Sequence, residues 1–413
     1  MDSDVIEATD ADTAGTLRNA LVDDLRENGA VHSDRVEAAL RAVPRHLFVP
    51  GVPLPRAYAN DVVSTKQNAS GASISAASQP SIVALMLEQA DIEPGHRVLE
   101  IGAGTGYNAA LLAHLAGTTG RVSTIDIDED IIAAARANLA AAGFNEVRAL
   151  CGDGALGDPT GAPYDRVIAT VGAWDPPPAW LDQVADGGRL IVPMRIRGSQ
   201  SRSIVFERNG RQWISRDSQM CGFMPLRGLA DDAPRTLPLS ADRSVTLPLY
   251  QDQAADADTL RDVLGQPRHE AWTGVRFGPH QSLEYLWLWL SCALDNALSR
   301  MQVSQQAMEC GQITTRSGVW IMATLDGNAL AYLPLRPIES DDSANRQHEI
   351  GVIGHGPNAD DLVARVVKQI LRWGSDYRSR QVRFTLQAAG TAPPLDGQFI
   401  FAMSHHLLSV TWD

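Results

Sequence analysis

Lysine is almost missing from this chain. Only Lys66 and Lys368 occur among its 35 basic residues, and the rest are arginines. A GC-rich genome accounts for that bias, and no function is read from it. Positive charge is scarce as well: 35 Lys and Arg against 49 Asp and Glu leave a net charge of −14. Such a chain is a poor non-specific partner for nucleic acid or an anionic membrane surface, so neither is expected. The cysteines are Cys151, Cys221, Cys292 and Cys310, with no CxxC pair. That excludes a zinc knuckle or a disulfide framework as the organising feature, and no metal is expected. No apolar run approaches the roughly 18 residues of a membrane span. The acidic start MDSDVIEATDADTAG lacks the apolar core of a signal peptide, so a reducing cytoplasm is the simplest compartment. What remains is a globular composition, 44% apolar and 20% charged, over 413 residues. That length suggests two or three domains.

Residues 1–15 read as a disordered acidic leader. Two short helices are expected over 16–50, with Ser33 and Asp34 as candidate caps. Residues 59–80 are rich in small polar residues and read as a mobile loop. A helix follows at 80–92. From 97 to 193, strands (RVLEI, RVSTID, EVRAL, YDRVIAT, GRLIVPM) alternate with helical segments, which argues for a parallel, doubly wound α/β sheet. RSIVFERNGRQWIS reads as a hairpin turning at Asn209-Gly210. A linker is placed at 229–245, and 246–413 is expected to be a mixed α/β C-terminal domain. There VWIMATL-DGN-ALAYLPL reads as a hairpin, 359–377 as an amphipathic helix, and VRFTL and FIFAM as strands. The alternating run LEYLWLWL (283–290) reads as a buried strand, or as an aromatic peptide-binding surface together with Trp272, Trp320, Trp373 and Trp412. His405-His406 reads as a strand-end pair, with no carboxylate or cysteine at ligand spacing.

The strongest chemical signal is Glu100-Ile-Gly-Ala-Gly-Thr-Gly106, directly after a strand and before a helix. Such a turn lets a ligand approach the backbone at a helix N-terminus. Its glycines, Gly102, Gly104 and Gly106, give GxGxG and not the dinucleotide GxGxxG. Glu100 would repel a pyrophosphate but suits the amino group of S-adenosyl-L-methionine. Asp126 ends the second strand and can accept from ribose hydroxyls. Asp153, in Gly152-Asp153-Gly154, can accept from an adenine amino group. Asp128 and Asp158 read as a helix-terminal charge and a loop residue.

With these pieces in place, the first 228 residues resemble the protein-L-isoaspartate O-methyltransferases. The motifs are VPRHLFVP (43–50), AYAND (57–61), SQPSIVALMLE (78–88), RVLEIGAGTGYNAALLAHL (97–115), GDGALG (152–157), APYDRVIAT (162–170) and GGRLIVPM (187–194). The resemblance implies a class I, Rossmann-like S-adenosylmethionine methyltransferase over 16–228. It would methylate a peptide carboxylate, leave S-adenosyl-L-homocysteine as co-product and use no metal. By position Ser78 corresponds to the active-site hydroxyl, which is also placed to cap a helix before Pro80. Thr105, Gly106, Tyr107, Ile127 and Thr170 continue the cofactor site, and Ser75, Gln79 and Val171 the substrate pocket. A methyl ester on aspartate is attacked by the following backbone nitrogen, closing a succinimide that opens to aspartate or isoaspartate.

The chain departs from the resemblance in two places. VVSTKQNASGASISAA (62–77) replaces the family's Pro-Leu-Pro-Ile-Gly stretch, and about 170 residues are added at the C-terminus. Both departures look like the methyltransferases of ribosomally made peptides, the FxLD system. Those act on an ordinary aspartate in a cyclised lanthipeptide or graspetide precursor and give aspartimide or isoaspartate. Peptide maturation is the leading expectation on this basis, and 246–413 is read as its substrate-recognition domain. General isoaspartate repair is the alternative, and a degenerate, non-enzymatic peptide-binding protein a third reading. Oligomeric state stays open.

Overall fold

The computed structural model describes residues 2–69, 71, 73–229, 232, 234–313, 320–338 and 346–413. The expected disordered leader is instead the start of a helix, α1 (Asp2–Glu27), with Met1 outside the described residues. Ala14, Val22 and Leu25 bury the later part of this helix, and no proline stops it from running on toward the N-terminus. Helix α2 (Asp34–Ala42) is capped by Ser33, whose hydroxyl accepts from Val36 N at 3.3 Å. A 3₁₀ turn (Arg45–Phe48) and a short helix α3 (Leu54–Ala57) follow.

The expected mobile loop over 59–80 is largely an antiparallel hairpin, β1 (Val63–Gln67) with β2 (Ser73–Ala77), residues 70 and 72 lying outside the described ones. Its Ser- and Ala-rich strands lack the apolar alternation that marks a strand. Only Val63 and Ala77 reach the small core with Val49, Ala57 and Tyr58 that pins it down.

Helix α4 (Pro80–Ala90) leads into the main sheet. Strands β3 (Arg97–Ile101), β4 (Arg121–Asp126), β5 (Arg148–Cys151), β6 (Tyr164–Ala169) and β7 (Val184–Arg197) are parallel, with α5 (Tyr107–Ala116) and α6 (Glu129–Ala141) between them. The apolar runs of β3 and β6 are buried on both faces, as a covered parallel sheet requires. β8 (Gln200–Asn209) and β9 (Gln212–Met220) add the expected hairpin, turning at Gly210 with φ 62°. The chain order reverses between β3's two neighbours, β4 and β6, which opens a crevice at the carboxyl ends of these strands.

The chain passes from the first sheet to a second one within 229–245, the segment expected to be a linker. Arg235–Pro238 is itself a strand, paired with Val245–Leu249, and residues 230, 231 and 233 lie outside the described ones. An antiparallel eight-stranded sheet runs from there to His348–His355, and the helix Ala359–Arg372 follows it. The last three strands then return to the first sheet. Val382–Ala388 pairs with β9, His406–Trp412 with Val382–Ala388, and Phe399–Ala402 with His406–Trp412, giving ten strands in one sheet. The chain's two halves therefore share a core: Phe206 and Trp213 lie in one cluster with Trp289, Phe384, Leu408 and Trp412. Each such fully buried apolar side chain contributes roughly 1.5–3 kcal/mol.

The run at 283–290 is a helix, Glu284–Ala293, and not a strand. Its residues are apolar on every side, so their alternation carried no information about the period. Trp289 is fully buried and stacks on Tyr377 at 4.2 Å, which makes it core and not a binding surface. The hairpin Trp320–Asp326 with Ala329–Tyr332 forms as expected, Val319 being outside the described residues. His406 finds a carboxylate after all, 231 positions away: its Nδ1 lies 2.6 Å from Asp175 Oδ1, and both side chains are buried. This pair ties the last strand to the segment after β6.

Candidate active site

A cavity of about 310 Å³ opens at the crevice between β3, β4 and β6. The glycine loop forms its floor. Gly102 has φ 101°, and a Cβ there would lie 2.7 Å from Thr170 Oγ1. Thr170 holds that loop, donating to Gly102 O at 2.7 Å. Gly106 caps α5 at φ 85°, so the loop needs the left-handed freedom of glycine at both ends.

Three acids were expected around the floor. Glu100 is completely buried. Its Oε2 accepts from Thr124 Oγ1 at 2.6 Å and its Oε1 from Asn108 Nδ2 at 2.8 Å. Burial pushes its pKa up to about 7, against the two hydrogen bonds that favour the charged form. Asp126 accepts from Gly104 N at 3.1 Å and from Asp128 N at 3.4 Å, and it faces the cavity. Asp153 does not line it. Its Oδ1 accepts from Ala155 N at 2.8 Å and its Oδ2 from Leu229 N at 3.1 Å, so both oxygens serve backbone N–H groups.

Of the other expected site residues, Ser75, Ser78, Gln79, Gly104, Thr105, Tyr107, Ile127, Gly154 and Val171 line the cavity, together with Glu100, Gly102, Asp126 and Thr170. Gly106, Gly152 and Asp153 lie behind the wall. Ser78 is not a helix cap, since that position belongs to Gln79. Its half-buried hydroxyl makes no hydrogen bond among the described residues and is available to a ligand. Ser75 accepts from Thr65 Oγ1 at 3.1 Å, which braces the hairpin. Tyr107 is buried, which pushes its phenol up to about 12.

The site also holds residues that the sequence reading passed over. The β1–β2 hairpin roofs the cavity, and Ala76 O would lie 3.6 Å from a Cβ at Gly104. A strap, 222–227, supplies Phe223, Met224 and Arg227 to the wall. Lys66 Nζ on the hairpin reaches Asp128 at 2.9 Å and Asp130 at 2.7 Å, and Arg227 reaches Asp128 at 3.0 Å. Asp128, read as a plain helix-terminal charge, thus joins hairpin, strap and α6. Asp158, read as a loop residue, is buried and accepts from Tyr164 Oη at 2.7 Å. Asn108 lies close in sequence to its partner, in the first turn of α5 and eight positions after Glu100. The hairpin and strap contacts join residues 62 and 99 positions apart.

The family model for protein-L-isoaspartate(D-aspartate) O-methyltransferase matches residues 16–231, just over half of the chain. The chain belongs to that family. A protein-L-isoaspartate O-methyltransferase of Methanopyrus kandleri is 40% identical over 212 residues, 51% of this chain and 91% of that protein. Protein-L-isoaspartate O-methyltransferase 2 of Polaromonas sp. is 41% identical over 196 residues, 47% of this chain and 89% of that protein. A solved protein-L-isoaspartate O-methyltransferase structure matches 89% of this chain and 96% of its own, at a TM-score of 0.50 and 23% identity. That likeness concerns the fold alone, and it extends beyond the family segment into the C-terminal half.

This methyltransferase is therefore an S-adenosylmethionine-dependent carboxyl O-methyltransferase on a class I fold. The cavity fits the cofactor: Gly102 and Gly104 leave a cradle that side chains would fill, and Glu100 and Asp126 offer acceptors to an ammonium and to hydroxyls. No described helix is long and apolar enough to cross a membrane.

Proposed function

We propose that the enzyme methylates the free carboxylate of an isoaspartyl residue in peptides and proteins. The observation that carries this reading is Ser78, a cavity-lining residue whose hydroxyl has no protein partner among the described residues, next to the glycine cradle. S-adenosylmethionine supplies the methyl group as an electrophile at the cavity floor. The residues of the chain do the rest. Glu100 and Asp126 fix the two ends of the cofactor, while Ser78 donates to one carboxylate oxygen and leaves the other aligned for attack. A carboxylate is already ionised at neutral pH, so no general base is required. Catalysis comes from alignment and from excluding water under the hairpin roof.

A second reading is an ordinary aspartate in a cyclised, ribosomally made peptide. The roof favours it, because the acceptor side is built by the Ser- and Ala-rich hairpin 63–77. Against it, the relatives carry the isoaspartate activity in their names, and the C-terminal half has a fold counterpart in a solved structure of the same name. The two are separated by offering the full chain an isoaspartyl peptide, its aspartyl isomer and cyclised precursor peptides, and following the mass gain of one methyl group. Preference for the isoaspartyl peptide supports repair. Methylation of a cyclised peptide alone supports maturation.

A further inference from the structure

We propose that Arg45 is a positioning residue that gives the acceptor subsite its positive potential, attracting the substrate carboxylate from behind Ser78. The inference rests on the carboxylate-acceptor reading above and names how the acceptor is selected. Arg45 lies in the 3₁₀ turn Arg45–Phe48 and is 1% exposed. Its Nη2 donates to Ser78 O at 2.9 Å and to Ala77 O at 3.4 Å, and its Nε to Ala57 O at 3.0 Å. Its guanidinium stands 5.1 Å from the centre of the Tyr107 ring. Nη1 is buried and has no partner, and no Asp or Glu pairs with the group among the described residues. An arginine stays cationic under these conditions, although burial pulls its pKa below the usual value.

A buried cation without a counter-ion is costly, and an anion arriving in the cavity would lower that cost. The cavity supplies the reason for one here. Its charged wall residues are Glu100, Asp126 and Arg227. Arg227 is already engaged by Asp128 and sits 3.8 Å from Asp126 at the cofactor end. The end beside Ser78 has hydroxyls but no cation of its own, in a chain of net charge −14. Arg45 reaches that end from behind, through its bond to Ser78 O. It is separated from the cavity by the peptide group of Ser78 and shielded from water, so salt screens it little.

Three hydrogen bonds to carbonyls would also suit a mere strut, and the test separates the roles. An isoaspartyl peptide and its neutral amide counterpart are each titrated into the full chain saturated with S-adenosylhomocysteine, whose sulfur carries no charge. The unsubstituted enzyme should bind the carboxylate at least about tenfold more tightly than the amide. Arg45→Gln should abolish most of that preference, Arg45→Lys should restore it, and the affinity for S-adenosylhomocysteine should stay within about twofold. Equal losses for both peptides, or a parallel loss of S-adenosylhomocysteine affinity, would make Arg45 a strut and overturn the proposal. If Arg45→Gln does not fold, the unsubstituted enzyme decides alone: equal binding of carboxylate and amide overturns the inference. Should the enzyme methylate no peptide carboxylate at all, the acceptor reading falls and the charge role falls with it. Methylation without a carboxylate preference removes only the charge role.

Discussion

Cofactor binding should depend on pH through Glu100. The carboxyl is fully buried, and burial lifts its pKa from an ordinary 4.5 to about 7 in the free enzyme. The gap of 7 − 4.5 corresponds to roughly 3 kcal/mol against the charged form. If the cofactor's ammonium lands beside this carboxylate, the bound state returns its pKa toward the ordinary range. Binding then expels a proton, and affinity rises with pH until Glu100 is ionised in the free enzyme. With the two pKa values at about 7 and about 4.5, the S-adenosylhomocysteine affinity at pH 6 should be roughly tenfold below that at pH 8. Close to half a proton should be released at pH 7. Titration calorimetry in two buffers of different ionisation enthalpy reads both quantities. Glu100→Gln should flatten the profile, since it keeps the shape and cannot titrate. In the free enzyme the same group acts on stability with the opposite sense. Between about pH 4.5 and 7 the unfolded chain binds fewer protons at this site, so its contribution to stability falls as pH rises. A flat affinity from pH 6 to 8 with no proton release would refute the placement of the ammonium at Glu100.

Asp126→Ala should weaken S-adenosylhomocysteine binding by roughly 1.5–3 kcal/mol, measured by calorimetry, because the charged acceptor at the end of β4 is lost while the sheet is kept. Ser78→Ala should lower methyl transfer by roughly tenfold or more, with cofactor affinity unchanged, in a single-turnover assay. A chain ending near residue 235 should not survive as a soluble binding domain, although the sequence alone suggests that it would. It removes the three strands that close the sheet beyond β9 and leaves an unpaired edge, so aggregation on gel filtration is the expected outcome.

The first sheet was legible because each of its strands is a short apolar run between helical repeats, and the glycine loop marked its ligand end. Ser78 and part of the wall were named from the family motifs, whereas the strap residues Phe223, Met224 and Arg227 were not. The hairpin roof was not legible, because VSTKQ and SISAA are mostly small or polar and offer little contrast between the faces of a strand. Glu284–Ala293 was misread because a segment apolar on all sides has no visible period. The union of the two halves was invisible for another reason. Strand pairing between 212–214 and 385–387, and the bond from His406 to Asp175, depend on register over long separations. Asp153 was a fair inference from its strand end, yet its oxygens turned to the backbone of 155 and 229.

The position of the acceptor carboxylate is the most direct test of the proposed chemistry. A crystal structure of the full enzyme with S-adenosylhomocysteine and an isoaspartyl peptide should place one carboxylate oxygen within hydrogen-bond distance of Ser78 Oγ. The other oxygen should face the cofactor's sulfur, under the hairpin 63–77. A peptide seated away from Ser78, or a cofactor outside the Gly102–Gly106 cradle, would contradict it.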